Sequence, residues 1–269
     1  MKRSLVLGLM ALGYVAGCGG SQPTDTAGQA PETATAPAAP APESAQSAQP
    51  VGPPSITGTA TFSGTPPTLP PLAMDADPAC HKMHSGPVPS EMLVLGSGNT
   101  MANIMVWVSG GLPEGKTWPA PAAPVVMDQN GCKYEPHVMG IMVGQAYRIL
   151  NSDGILHNVH TLPKVNPSFN AAMPATRKEA TTTFSQPEAI FNIKCDVHPW
   201  MSAYIGVYTH PFFSVTGTDG KYTISGLDPG TYEITAWHER LGTQTASVTV
   251  GASDTQTQDF TFAVPAAKK

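Results

Sequence analysis

From residue 56 onward, hydrophobic positions recur in short alternating or continuous runs, each closed by turn residues. This beat predicts strands over residues 56–62, 102–108, 138–150, 155–161, 189–193, 203–208, 222–225, 232–237, 246–250 and 259–263. Asp153-Gly154, Asp219-Gly220 and Asp228-Pro229-Gly230 are predicted turns, because Asp and Gly tolerate the backbone angles that tight turns require. No long window carries a helical period. The pattern predicts an all-β protein of the sandwich or barrel class.

The chain before residue 56 obeys a different rule. Met1-Lys2-Arg3 precedes an apolar run over residues 5–16, the arrangement of a secretory signal and too short for the ~20 residues of a spanning helix. Val15-Ala16-Gly17-Cys18 resembles the bacterial lipoprotein box, which implies cleavage after residue 17 and lipid attachment at Cys18. An ordinary signal peptide with a chance cysteine is the competing reading. Gly19, rather than the Asp that tends to retain such proteins at the inner membrane, favours the outer membrane. Residues 21–54 hold nine Ala, eight Pro and no aromatic residue. Such a segment buries too little apolar surface to offset its ordering entropy, so a disordered tether is expected, with a reach of up to ~100 Å in polyproline geometry.

Only 12% of residues are charged, while Gly (26) and Pro (28) make up about a fifth of the 269, a mixture that opposes long helices and coiled coils. Cleavage of residues 1–17 removes Lys2 and Arg3, taking the formal charge from −5 to −7. With no basic cluster to meet phosphates, nucleic acid is excluded as a partner. No phosphate loop, nucleophile elbow or zinc-protease motif is present.

The four cysteines sort by position. Cys18 belongs to the anchor and Cys195 to a Cys-x-x-His motif. Cys80 and Cys132 remain, and in an exported protein a disulfide between them is predicted. A metal site using Cys80, His81 and His84 is the alternative.

Two segments carry chemistry. One is Asn151-Ser152-Asp153-Gly154-Ile155-Leu156-His157-Asn158-Val159-His160, and the other is Cys195-Asp196-Val197-His198-Pro199-Trp200-Met201. A thiolate, two imidazoles and a thioether form a soft donor set suited to copper, in which Met201 offers the thioether as a weak axial ligand. Packing beside Trp200 is the competing role for Met201. Zinc is the alternative metal, although a thioether suits it poorly. On a strand His157 and His160 face opposite ways, so His160 is not expected to bind metal. His137 and His238 are read as structural, and the twelve Met residues as core filler.

The pair His157-Asn158-Val159 and Cys195-x-x-His198 resembles the cupredoxins of the plastocyanin and pseudoazurin group, over residues 92–210. The resemblance implies copper binding by His157, Cys195 and His198, a role for Asn158 in tying the two ligand loops, and electron passage through the edge of His198. The chain departs from that group where Ala203 stands at the usual Met position. The His198-x-x-Met201 spacing is instead similar to the binuclear copper domain of cytochrome oxidase, which needs a second cysteine that this loop lacks. Farther on, Val215-Thr216-Gly217-Thr218-Asp219-Gly220-Lys221-Tyr222-Thr223-Ile224 and Leu227-Asp228-Pro229-Gly230-Thr231-Tyr232-Glu233-Ile234 resemble the carboxypeptidase regulatory-like (transthyretin-like) module.

The expected organisation is a signal peptide (1–17), a lipid anchor and linker (18–54), a cupredoxin-like Greek-key β-sandwich (55–210) and a small transthyretin-like β-sandwich (211–265). Residues 56–67 are open to pairing with the second sandwich. The expected function is one-electron transfer at a single type 1 copper site, without enzymatic activity, on the periplasmic side of the envelope. The expected partners are a redox protein and the membrane, through the lipid. A copper carrier, a copper enzyme with an open coordination position, and a structural or binding lipoprotein are the alternatives.

Overall fold

The computed structural model describes residues 54–264; the expected signal segment, Cys18 and the tether to residue 53 lie outside the described residues. β1 (Ser55–Ser63) and β2 (Met105–Gly110) come first, separated by irregular chain and a short helix, α1 (Pro78–Lys82). The middle of the chain supplies β3 (Val125–Asn130), β4 (Lys133–Glu135), β5 (Val138–Met142), β6 (Ala146–Asn151), β7 (His157–Thr161), β8 (Asn170–Met173), β9 (Glu179–Thr183), β10 (Glu188–Lys194) and β11 (Ser202–Tyr208). The last part supplies β12 (Phe213–Val215), β13 (Lys221–Ser225), β14 (Gly230–His238), β15 (Gly242–Val250), β16 (Thr255–Thr257) and β17 (Phe260–Ala263).

The nine middle strands build two sheets, ordered β5-β11-β10-β7-β8 and β4-β3-β6-β9. Alternation along each strand sends one set of side chains inward. In β6 the inward set is Tyr147, Ile149 and Asn151. Met127, Ile149, Val159, Ile193 and Ile205 from the two sheets meet in one core and are fully buried. Each such side chain withdrawn from water contributes roughly 1.5–3 kcal/mol.

The second sandwich closes across long sequence distances. β1 pairs with β13, β16 and β17, and β2 lies between β12 and β14, with β15 beyond. Ile56, Val106, Ile224, Ile234 and Phe262 fill its core. β1 and β2 both precede His210-Pro211, yet they hydrogen-bond to strands that follow it. Met105, Val138, Met142, Tyr208 and Phe213 form a third apolar cluster, drawn from β2, β5, β11 and β12. The fold is all-β, with face-to-face sheets rather than closed barrels.

The strand expected over 138–150 is two strands. Gly144 turns the chain at φ 78°, and the Gln145 side chain accepts the Met142 N–H at 3.0 Å. β5 pairs with β11, while β6 pairs with β3 in the other sheet. Apolar residues on both sides of this turn hide it from a hydropathy pattern. The hydropathy pattern also lacks any sign of the β3–β4 hairpin. Its turn holds Gly131 and Cys132 at φ 61° and 54°, as a two-residue hairpin loop requires.

Candidate metal centre

Antiparallel pairing of β7 with β10 places Lys194 opposite His160 and Ile193 opposite Thr161. The chain leaving β10 therefore delivers Cys195 beside the start of β7, where the Asn158 N–H points at the Cys195 sulfur at 3.4 Å. The loop between β10 and β11 closes on itself, with Met201 N–H donating to the His198 carbonyl and Cys195 N–H to the Met201 carbonyl. The His198 N–H also points at the Cys195 sulfur, at 3.3 Å.

Three donor atoms converge. His157 Nδ1 and His198 Nδ1 are 3.0 Å apart, Cys195 Sγ is 3.8 Å from His198 Nδ1, and all three lie within 4.8 Å of one another. The three residues are buried. Among the described residues Cys195 is the free cysteine, because Cys80 and Cys132 form a disulfide with Cα atoms 5.6 Å apart. Met201 is buried in the core below, 1% exposed, and the Trp200 ring lies against His198 with centroids 5.0 Å apart.

The outer nitrogens of both rings are occupied. His157 Nε2 meets Asp153 Oδ2 at 2.7 Å, and His198 Nε2 meets Asp77 Oδ2 at 3.3 Å. The Cys80 sulfur lies 3.7 Å from the same His198 nitrogen. His198 is thus only 2% exposed, and the edge expected to face solvent is screened by the Asp77–Cys80 segment and Trp200.

These contacts set the charges. Burial alone would lower the His157 pKa, but the hydrogen bond to Asp153 and the neighbouring Cys195 raise it to about 9. Burial would raise the Cys195 thiol, but His157 and the N–H groups of His198, Val197 and Asn158 hold it below its ordinary value. For His198, burial and the charge of His157 outweigh Asp77 and push its pKa down. One ring prefers to be charged and the other neutral, as expected when a single proton sits between facing nitrogens.

Asn158 spans the two ligand segments. Its Oδ1 accepts the Asp196 N–H at 3.2 Å, and its Nδ2 donates to Asn170 Oδ1 at 2.7 Å. Tyr134 donates its hydroxyl to the Asn158 carbonyl. His160 stays outside the cluster, paired with Asp196 at 2.9 Å. His137 bonds Glu239 and Ser202, and His238 accepts from the backbone of Arg240 and Leu241. His81 is exposed and His84 bonds the Gly131 carbonyl, so neither joins a metal cluster with the disulfide-bonded Cys80.

Residues 207–263 match the family model of the carboxypeptidase regulatory-like domain. No curated protein matches the chain. Among solved structures, it is similar to a copper-containing nitrite reductase from Thermus scotoductus SA-01 at 22% identity, over 37% of this chain and 25% of that one, with TM-score 0.28. It is also similar to the Cu(I) form of an amicyanin mutant, at 21% identity over 39% of this chain and 99% of that one, with TM-score 0.29. A purple cupredoxin from Nitrosopumilus maritimus gives 19% identity, 31% and 98% coverage, and TM-score 0.27. The chain spans a quarter of the nitrite reductase and nearly all of the other two.

The donor set fits a thiophilic metal ion. Two nitrogens and one sulfur face a common point, and the groups that hold them leave the facing atoms free for a metal once the shared proton departs. Sequence reasoning missed Asp153 and Asp77. Asp153 looked like a turn former beside Gly154. Asp77 carried a signal of its own, since Asp followed by Pro is a helix N-cap signature.

Proposed function

We propose that the protein binds one copper ion at His157, Cys195 and His198 and carries single electrons in the bacterial cell envelope. The observation that carries this reading is the convergence of two imidazole nitrogens and one buried sulfur within 4.8 Å. Copper held by such ligands supplies a one-electron Cu(II)/Cu(I) couple. The residues do the rest. Burial opposes ionisation of Cys195, but His157 and three backbone N–H groups hold its pKa below the ordinary thiol value and so favour the thiolate that binds metal. Asn158 and the closed loop from Cys195 to Met201 keep the donors in place, which limits reorganisation between the two oxidation states. Met201 is proposed as the weak fourth ligand, and no enzymatic activity is assigned. A redox protein partner would dock over the Asp77–Cys80 segment that screens His198, and lipid on Cys18 would tether the domain at the membrane, facing the periplasm.

Zinc is the second reading, favoured by the carboxylate on His157 Nε2, an arrangement common at zinc sites. Voltammetry of the full chain with one equivalent of Cu(II) separates the two. A reversible one-electron wave, absent in Cys195→Ser, is expected. Absence of such a wave, with zinc bound in preference to copper, overturns the copper reading.

A further inference from the structure

We propose that Asp153 and Asp77, joined through the Cys80–Cys132 disulfide, form an outer clamp that orients both ligand imidazoles and favours the more highly charged metal state. The proposal rests on the copper reading above for its redox part alone.

Each carboxylate is itself held from behind. Asp153 Oδ1 accepts the Gly131 N–H at 2.6 Å, and Oδ2 accepts the Cys132 N–H at 2.8 Å as well as meeting His157 Nε2. Those N–H groups point the same way because Gly131 and Cys132 both have positive φ. The Asp153 side chain is 3% exposed, so it has little freedom to swing away. Asp77 caps α1: its Oδ1 accepts from Ala79 N–H at 2.7 Å and Cys80 N–H at 3.4 Å, which leaves Oδ2 for His198 Nε2. One disulfide cysteine therefore donates its backbone N–H to each aspartate, and the S–S bond joins the two halves of the clamp.

The chemistry follows from which nitrogen carries hydrogen. A carboxylate on Nε2 fixes the proton there, so Nδ1 keeps its lone pair for metal. The negative charge also makes the imidazole a stronger donor and stabilises Cu(II) over Cu(I). Asp153 and Asp77 are positioning residues. Asp153, nearer and almost fully buried, has the larger effect; Asp77 is half-exposed and farther, so water screens it.

The test uses the full chain and three variants: Asp153→Asn, Asp77→Asn and Cys80→Ala/Cys132→Ala. Zn(II) affinity is measured by competition titration and the copper midpoint potential by voltammetry. Asp153→Asn is expected to weaken Zn(II) binding about 10–100-fold and to raise the potential. Asp77→Asn moves both in the same direction by less, and the cysteine double variant behaves as Asp77→Asn does. A folded Asp153→Asn with wild-type affinity and potential overturns the clamp. Should that variant not fold, Asp77→Asn decides: wild-type values for both readouts overturn the proposal. Loss of Zn(II) affinity in a protein that shows no copper wave supports the clamp while removing the copper reading. A normal wave that no variant shifts removes the clamp alone.

Discussion

Replacing Cys80 and Cys132 together by alanine removes a cross-link between residues 52 apart in sequence. In the chain-entropy account a closed loop of that length restricts the unfolded ensemble by ~4 kcal/mol at room temperature. Both cysteines are fully buried, so the lost sulfur contacts add to that figure. Against a usual total stability of 5–15 kcal/mol this is a large fraction. Urea unfolding followed by tryptophan fluorescence is the assay. With a slope of ~2–3 kcal/mol per molar, the cross-link alone is expected to lower the midpoint by roughly 1.3–2 M. Wild-type protein treated with a thiol reductant keeps both sulfurs and should show the cross-link part of this shift. A shift below ~0.5 M in the double variant refutes the reasoning, because the unfolded chain would then be no freer without the bond.

Two further outcomes follow from the hydrogen bonding. Asn158→Ala removes the hydrogen bonds to Asp196 N–H and the Asn170 side chain, both on exposed residues, which should cost about 0.5–1.5 kcal/mol in urea unfolding and speed metal release to a chelator; an unchanged release rate would show that Asn158 does not hold the ligand loop. His137 has both ring nitrogens on acceptors, Ser202 carbonyl and Glu239, an arrangement that the charged ring with two N–H groups satisfies. Burial opposes that charge, but Glu239 and Glu91 raise the His137 pKa above its ordinary value of ~6.5. A raised folded-state pKa gives stability that is complete below ~6.5 and fades as pH climbs through the folded value. The destabilisation caused by Glu239→Gln should therefore be greatest near pH 6 and smaller at pH 9; a cost that is the same at both values contradicts a charged His137.

What the sequence revealed and what it hid divide along physical lines. His157 and Cys195-x-x-His198 stood out because soft-metal chemistry admits few residue types, whatever fold presents them. Asp153 and Asp77 did not, since an aspartate beside Gly154 or before Pro78 is explained by turn and cap chemistry alone. Only their second oxygen contacts give them a further role, and those depend on tertiary placement. The burial of His198 was hidden for the same reason: the covering segment lies 121 residues away. Strand existence was legible where apolar residues alternate, as in β1, β10 and β14. β8 and β9 carry small or polar side chains outward and mostly small ones inward, so their pattern is faint. The pairing of β1 with β13, Ser55 opposite Ser225, leaves no local trace.

The central claim is a copper–thiolate bond at Cys195. The visible absorption spectrum of the full chain with one equivalent of Cu(II) tests it most directly. An intense sulfur-to-copper band that disappears in Cys195→Ser and bleaches on mild reduction is expected. A wild-type protein that stays colourless with Cu(II) present, or a band that survives in Cys195→Ser, contradicts it.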